Sequence, residues 1–263
     1  MKRIAQLTDL HLDDRMAIAH AVDTRANLLQ VLDDVCQKGI TEAVLTGDLG
    51  EDHTIGWLRT QLDNRGIHAS YLFGNHDSHS NYQNLPDFSG HFHPEGYYHA
   101  RVEEGFLQLF MDSSHGWIGP DQMAWLQDAC TGTDSPILLF IHHPLLDCDD
   151  SPMDRFFPLR GRNALRDWFL ALGRPVSIFC GHYHCVHDQS SGFMEQHVTY
   201  STYVQIKTTG ETLDMDGRHV GYRILELDSG SLHTRSVTVP PSGLPLHRDR
   251  DIMEHGAAGN PSR

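Results

Sequence analysis

Lysine is almost missing from this chain: three stand among 263 residues, at Lys2, Lys38 and Lys207, and no Lys/Arg run exceeds two. Proteins that track nucleic acid draw affinity from a basic face that releases counterions. Here 20 Lys+Arg face 35 Asp+Glu, a formal charge of −15. That balance speaks against general nucleic-acid binding and against docking on anionic lipid. Long apolar runs are absent too; none approaches the ~18 residues of a spanning helix. Lys2 and Arg3 precede a short apolar stretch, but Asp9 and His11 end it before a secretory signal is built. The five Cys (36, 130, 148, 180 and 185) form no disulfide framework, and Cys180 and Cys185 around GHYH fit no standard zinc finger. The expectation is a cytoplasmic protein with reduced thiols and no membrane partner.

What is abundant is histidine, 20 residues on an acidic chain whose 39% hydrophobic content is that of a globular protein. Length allows one large domain with a real core. Short apolar runs predict strands at 4–7, 42–46, 68–73, 97–102, 106–111, 137–141 and 176–179. Leu28, Leu32 and Val35, with Val31 beside them, predict a helix over 24–38. It is capped by Asp23 or Thr24 and ended by Gly39. Further helices are expected at 54–64, 120–130 and 161–172, with loops at 78–96 and 145–160. After 190 the pattern turns to strands, at 193–199, 201–206, 220–227 and 231–238. Residues 1–238 read as the catalytic domain and 239–263, rich in Pro, Gly, Arg and Asp, as a flexible tail.

Five of the strands end alike, at Asp, Asn or His, usually with Gly beside it: TDLH, TGDL, FGNHD, IHHP and CGHYH. In layered α/β folds the carboxyl ends of neighbouring strands open onto one crevice. The pattern therefore gathers Asp9, His11, Asp48, Asn75, His76, His142, His182 and His184. Such a mixed nitrogen and oxygen set suits Zn, Mn or Fe. Eight donors exceed the need of one ion; two ions about 3.5–4 Å apart would use them, an arrangement suited to in-line displacement at phosphorus. Gly47, Gly74 and Gly181 let the chain turn and the side chains close on the metals.

The ordered motifs resemble the calcineurin-like metallophosphoesterases. Residues 117–126 (WIGPDQMAWL), Met153-Asp154, 201–206 (STYVQI) and Gly221-Tyr222-Arg223 are similar to the bacterial class III cyclic-nucleotide phosphodiesterases. The resemblance implies a four-layer α/β/β/α sandwich of two mixed sheets. It also implies a dinuclear centre of two divalent transition-metal ions (Mn, Fe or Zn). Asp9, His11, Asp48 and His184 would hold the first ion; Asp48, Asn75, His142 and His182 the second, with Asp48 bridging. In that family a metal-bridging hydroxide attacks phosphorus. His76 binds the phosphate or protonates the leaving group, and Asp77 is expected to orient His76. The implied substrate is a small anionic phosphodiester, foremost a 3′,5′-cyclic nucleotide of the cyclic AMP type. A glycerophosphodiester or another small phosphoester is the alternative. A nuclease is disfavoured by charge, and a non-catalytic scaffold by the filled ligand positions. Relatives often pair, so a homodimer is carried as an expectation.

The chain departs from its relatives at Leu145, where a second Pro is frequent, and at His79, where Arg is frequent. Gly50-Glu51-Asp52 lacks the Arg with which protein phosphatases clamp a phosphomonoester. His53, His79, His91, His93 and His115 read first as solvated loop residues, though together they could ring the substrate entrance. Tyr183 is open to two readings, stacking on a base or packing against the sheet. Arg155, Arg160 and Arg162 are expected to offset Asp147, Asp149, Asp150 and Asp154, and Trp117, Trp125 and Trp168 to lie in the core.

Overall fold

Alternation along β1 (Lys2–Leu7) and β8 (Ile137–Ile141) sends successive side chains into different cores. The computed structural model describes residues 1–242, apart from 84, 86, 87, 89 and 150. In it Ile4 joins Phe110, Leu138, Phe140 and Phe179 in an apolar layer between two sheets. Ala5 and Leu7 face α2 (Thr24–Gln37) and α3 (Ile55–Asp63) on one outer side. Ile137, Leu139 and Ile141 face α5 (Pro120–Cys130) and α7 (Arg162–Leu172) on the other. The layers are thus helix, sheet, sheet, helix, as expected.

The first sheet has the order β15-β14-β1-β2-β3, with β2 at Glu42–Thr46, β3 at His68–Leu72, β14 at Val220–Asp228 and β15 at Ser231–Val239. Its β1-β2-β3 core is parallel, and β14 and β15 join antiparallel. The second has the order β10-β11-β9-β8-β7-β6. There β6 is His99–Glu103, β7 Phe106–Met111, β9 Val176–Cys180, β10 His187–Ser191 and β11 Met194–Val198. Both sheets are mixed. In the second, cross-strand register lines up His99, Phe110, Phe140, Phe179 and His197 as a ladder of stacked rings, centroids 4.3–5.5 Å apart.

Several expectations are corrected. Of the expected strand 201–206 only Gln205–Ile206 is extended, because Ser201 and Thr202 bond to the end of β1 instead: Ser201 Oγ donates to Asp9 O at 2.8 Å and Thr202 N to Thr8 O at 3.2 Å. The expected loops contain short helices at His79–Tyr82 and Pro152–Phe156. Strand β10 and helix α1 (Arg15–Ala19) were not anticipated; β10 (HDQSS) is a polar edge strand without an apolar signature. Trp117 is 42% exposed rather than core, whereas Trp125 and Trp168 pack against the second outer core. Most of the expected tail, 243–263, lies outside the described residues, as does Asp150. No described helix is long and apolar enough to cross a membrane.

Candidate metal centre

The parallel strands β1, β2 and β3 of one sheet and β8 and β9 of the other deliver their carboxyl ends to one place. The ends are sewn together by backbone bonds: Asp9 N donates to Gly47 O at 3.0 Å, His11 N to Asp48 O at 2.9 Å and Gly181 N to His142 O at 3.0 Å. Five of the predicted residues adopt the left-handed region, Asp9 (φ 51), His11 (45), Asp48 (52), His182 (66) and His184 (49). Non-glycine residues rarely stay there, at a cost of order 1 kcal/mol each, unless the surroundings impose it, and such strain gathers at functional sites. The glycines serve close approach. A Cβ on Gly181 would run into Thr8 and Asp9, and one on Gly74 into the Asp48 carboxylate.

Ligand atoms converge in two buried triads, Asp9–His11–His184 and Asp48–His142–His182. Asp48 touches both, with Oδ2 3.5 Å from His11 Nε2 and 3.4 Å from His142 Nε2. One nitrogen of each imidazole is committed elsewhere, and this fixes which nitrogen faces the cluster. His142 Nδ1 donates to Thr46 O at 2.8 Å, His184 Nδ1 to Val204 O at 2.9 Å, and His182 Nε2 to Phe157 O at 3.0 Å. His11 Nδ1 pairs with Asp14 Oδ2 at 3.2 Å. That leaves Nε2 of His11, His142 and His184 and Nδ1 of His182 turned to the carboxylates.

Charge is concentrated where water is excluded. Burial pushes the Asp9 carboxyl up, but the His184 and His142 rings outweigh it and hold it down at about 2. Asp48 is likewise held well below the usual range, its burial outweighed by His142 and His11. Burial pulls His142 down while Asp48 and Asp9 raise it, to about 9. His182, buried beside His142, is pushed down to about 3. His142 Nε2 is buried with no hydrogen-bond partner. An imidazole nitrogen with no hydrogen-bond partner, turned to two ionised buried carboxylates, belongs to a donor set that a divalent cation would complete. The residues present therefore fit metal ions with mixed nitrogen and oxygen ligands.

Asn75 and His76 sit on the turn after β3 and are exposed. His76 N donates to Asp48 Oδ1 at 2.9 Å, and its ring meets His11 edge-on at 4.9 Å. The carboxylate at its Nδ1 is Asp14 Oδ2, 3.5 Å away, and not Asp77. Asp77 lies beneath the turn, accepting from Leu49 N and Gly74 N, both at 2.8 Å. Burial and the Asp48 charge push its carboxyl up to about 7. The carboxylate placed beside the His76 ring is thus Asp14 and not the expected Asp77. The sequence reading passed over Asp14, whose only local signal is a helix-cap position, where it accepts from Met16 N at 2.7 Å.

Around this centre, Tyr183 packs rather than opening to a ligand: it is 1% exposed and its hydroxyl donates to Asp154 Oδ1 at 2.7 Å. Arg162 does pair with Asp154 and Asp147, but Arg155 and Arg160 bond to the backbone carbonyls of Gly210 and of His115 and Gly116. The loop histidines do not form one ring around an entrance. His79 pairs with Asp112 at 2.9 Å, His91 stacks on His99 and His93 on Tyr98 as packing braces, and His53 binds Asp13. His115 is exposed, 5.1 Å from the His79 ring.

Comparison with known proteins adds four likenesses. Residues 2–186 match the family model described as calcineurin-like phosphoesterase. A protein of Fibrobacter succinogenes named a probable cyclic nucleotide phosphodiesterase is 24% identical over 236 residues, 89% of this chain and 92% of that one. A glycerophosphodiester phosphodiesterase of Enterobacter lignolyticus is 37% identical over 84 residues, 29% of each chain. A dimetal phosphatase from Danio rerio superposes with a TM-score of 0.67 at 13% identity, covering 92% of this chain and 99% of that one, a likeness of fold.

Proposed function

The chain belongs to the calcineurin-like phosphoesterase family, and from that premise we propose that residues 1–238 hydrolyse a small phosphodiester, foremost a 3′,5′-cyclic nucleotide, at a dinuclear centre. That it is a metal-dependent phosphoester hydrolase follows from the family and its phosphodiesterase-named relatives. The observation that carries the reading is the position of Asp48, within 3.5 Å of a ring nitrogen in each direction and so able to bridge two ions.

In this reading Asp9, His11, Asp48 and His184 would hold one ion, and Asp48, Asn75, His142 and His182 the other. Divalent ions so bound would lower the pKa of water toward neutrality and offset the charge on the phosphoryl oxygens. The chain's own residues do the rest. His76, exposed at the mouth with Nδ1 toward Asp14, turns Nε2 to the substrate and donates to a phosphoryl or leaving oxygen. Asp77 fixes the turn that holds Asn75 and His76 in place. The −15 charge is no obstacle to an anionic substrate, because two divalent ions would reverse the sign locally.

Relatives named as cyclic-nucleotide enzymes along most of their length support that substrate. The shorter likeness to a glycerophosphodiester phosphodiesterase, higher in identity over its 84 residues, favours a second reading, a glycerophosphodiester. One experiment tests both: reconstitution with Mn, Fe or Zn, metal analysis, and a panel of 3′,5′- and 2′,3′-cyclic nucleotides, glycerophosphodiesters and phosphomonoesters. Turnover of phosphomonoesters alone, or full activity with one ion or none, overturns the proposal. Light scattering on the same sample reads whether the chain pairs.

A further inference from the structure

Phe157 closes the short helix α6 (Pro152–Phe156) and does two things at once. Its carbonyl oxygen accepts from His182 Nε2 at 3.0 Å, so its backbone adjoins a residue of the buried centre. Its side chain is nevertheless 49% exposed. Beside it stands Phe156, 57% exposed, with ring centroids 6.4 Å apart. Trp117, 42% exposed, lies on the strip that pairs with Arg160: Arg160 N donates to Gly116 O at 2.9 Å. Scattered single exposed apolar residues need no explanation, but two exposed aromatic rings side by side, on a segment whose backbone touches the centre, do.

The backbone under these rings is pinned. Ser151 Oγ caps Asp154 N at 3.1 Å, Asp154 accepts from Tyr183 Oη at 2.7 Å and pairs with Arg162, and Arg155 reaches Gly210 O at 2.7 Å. A ring held out to solvent on an ordered backbone binds a flat partner without paying for the ordering of a loop. Base–aromatic stacking suits this geometry and tolerates any base, because every base has a π-face.

We propose that Phe157 is a specificity-determining residue whose ring forms the platform for the aromatic base of the substrate, while its carbonyl orients His182. This rests on the cyclic-nucleotide reading and names where that substrate's organic half is held. The phosphodiester lies over the buried centre, and the base extends over α6.

The test compares 3′,5′-cyclic AMP with the base-free methyl riboside 3′,5′-cyclic phosphate, on metal-loaded full-length protein. Phe157→Ala is expected to reduce the preference for the base-bearing ester at least tenfold, through KM. Phe157→Trp retains the preference, and so does Phe193→Ala, an equally exposed phenylalanine on the β10–β11 turn. Calorimetry gives a second readout: affinity for AMP relative to ribose 5-phosphate falls by the same factor in Phe157→Ala. The assignment is overturned if the preference survives Phe157→Ala. It is overturned equally if both esters lose rate together with bound metal, which would make the residue purely structural. Hydrolysis of neither cyclic ester by wild type would overturn the cyclic-nucleotide reading and this assignment with it. Wild-type hydrolysis with an unaltered preference in Phe157→Ala overturns this assignment alone.

Discussion

Asp14 and His76 face each other across the mouth of the site, Asp14 Oδ2 3.5 Å from His76 Nδ1. The same oxygen lies 3.2 Å from His11 Nδ1. A carboxylate so placed fixes two rings at once, one buried and one at the surface. Asp14→Asn is expected to lower kcat about tenfold with a smaller change in KM, the usual scale for a group that orients a ligand. Asp77→Asn should act differently, because its amide nitrogen cannot accept from Leu49 N or Gly74 N. Its effect is expected in the melting temperature, read by calorimetry. Equal kinetic losses in both variants would remove the distinction.

His76→Ala is expected to keep the metal content and lose about 10²–10⁴ in kcat, as befits a proton-donating group. Asp48→Asn should lose both metal and turnover, since its carboxylate stands between the two triads, within 3.5 Å of a ring nitrogen of each. Metal analysis beside steady-state kinetics separates the two; loss of metal in His76→Ala would make it a ligand.

Gly181→Ala places a methyl group against Thr8 and Asp9. The ligand loop must move, and we expect at least tenfold weaker metal binding in a folded protein. Competition with a chelator of known affinity measures it, and unaltered affinity would show that the loop yields freely.

His99 stacks on Phe110 with centroids 4.3 Å apart and planes 6° from parallel, and its Nδ1 is buried without a partner. Burial, then the nearby His91, push its pKa from 6.5 down to about 3. Below pH 6.5 the unfolded chain takes up a proton that the folded chain refuses, so stability falls as pH falls. From pH 6.5 to pH 5 the loss from this residue is about 2 kcal/mol. His99→Phe should flatten that limb of the unfolding free energy, measured by urea titration at each pH; an unaltered limb would place the acid sensitivity elsewhere.

The residues of the candidate metal cluster were legible because they depend on short-range patterns, whereas the layer order was implied by the family resemblance. Strand β8 alternates between two apolar faces, and TDLH, TGDL, FGNHD, IHHP and CGHYH mark strand ends that a parallel sheet must bring together. Helix 120–130 and strand 137–141 were readable to the residue, since Pro120 opens one and Pro136 precedes the other.

By itself, then, the sequence determined most of the strands and helices and the residues that meet at the carboxyl edge, while the two-sheet sandwich came with the family resemblance. Only tertiary structure decided that Asp14 rather than Asp77 faces His76, that Tyr183 packs on Asp154, and that Phe157 stands half in solvent with its carbonyl on His182. It decided too that Ser201 and Thr202 serve the end of β1 and that most loop histidines brace other rings. The reason is physical. Periodicity and turn chemistry are local and leave their mark in the chain, whereas a hydrogen bond such as His182 to Phe157 is formed only after distant segments have packed, and no local pattern encodes it.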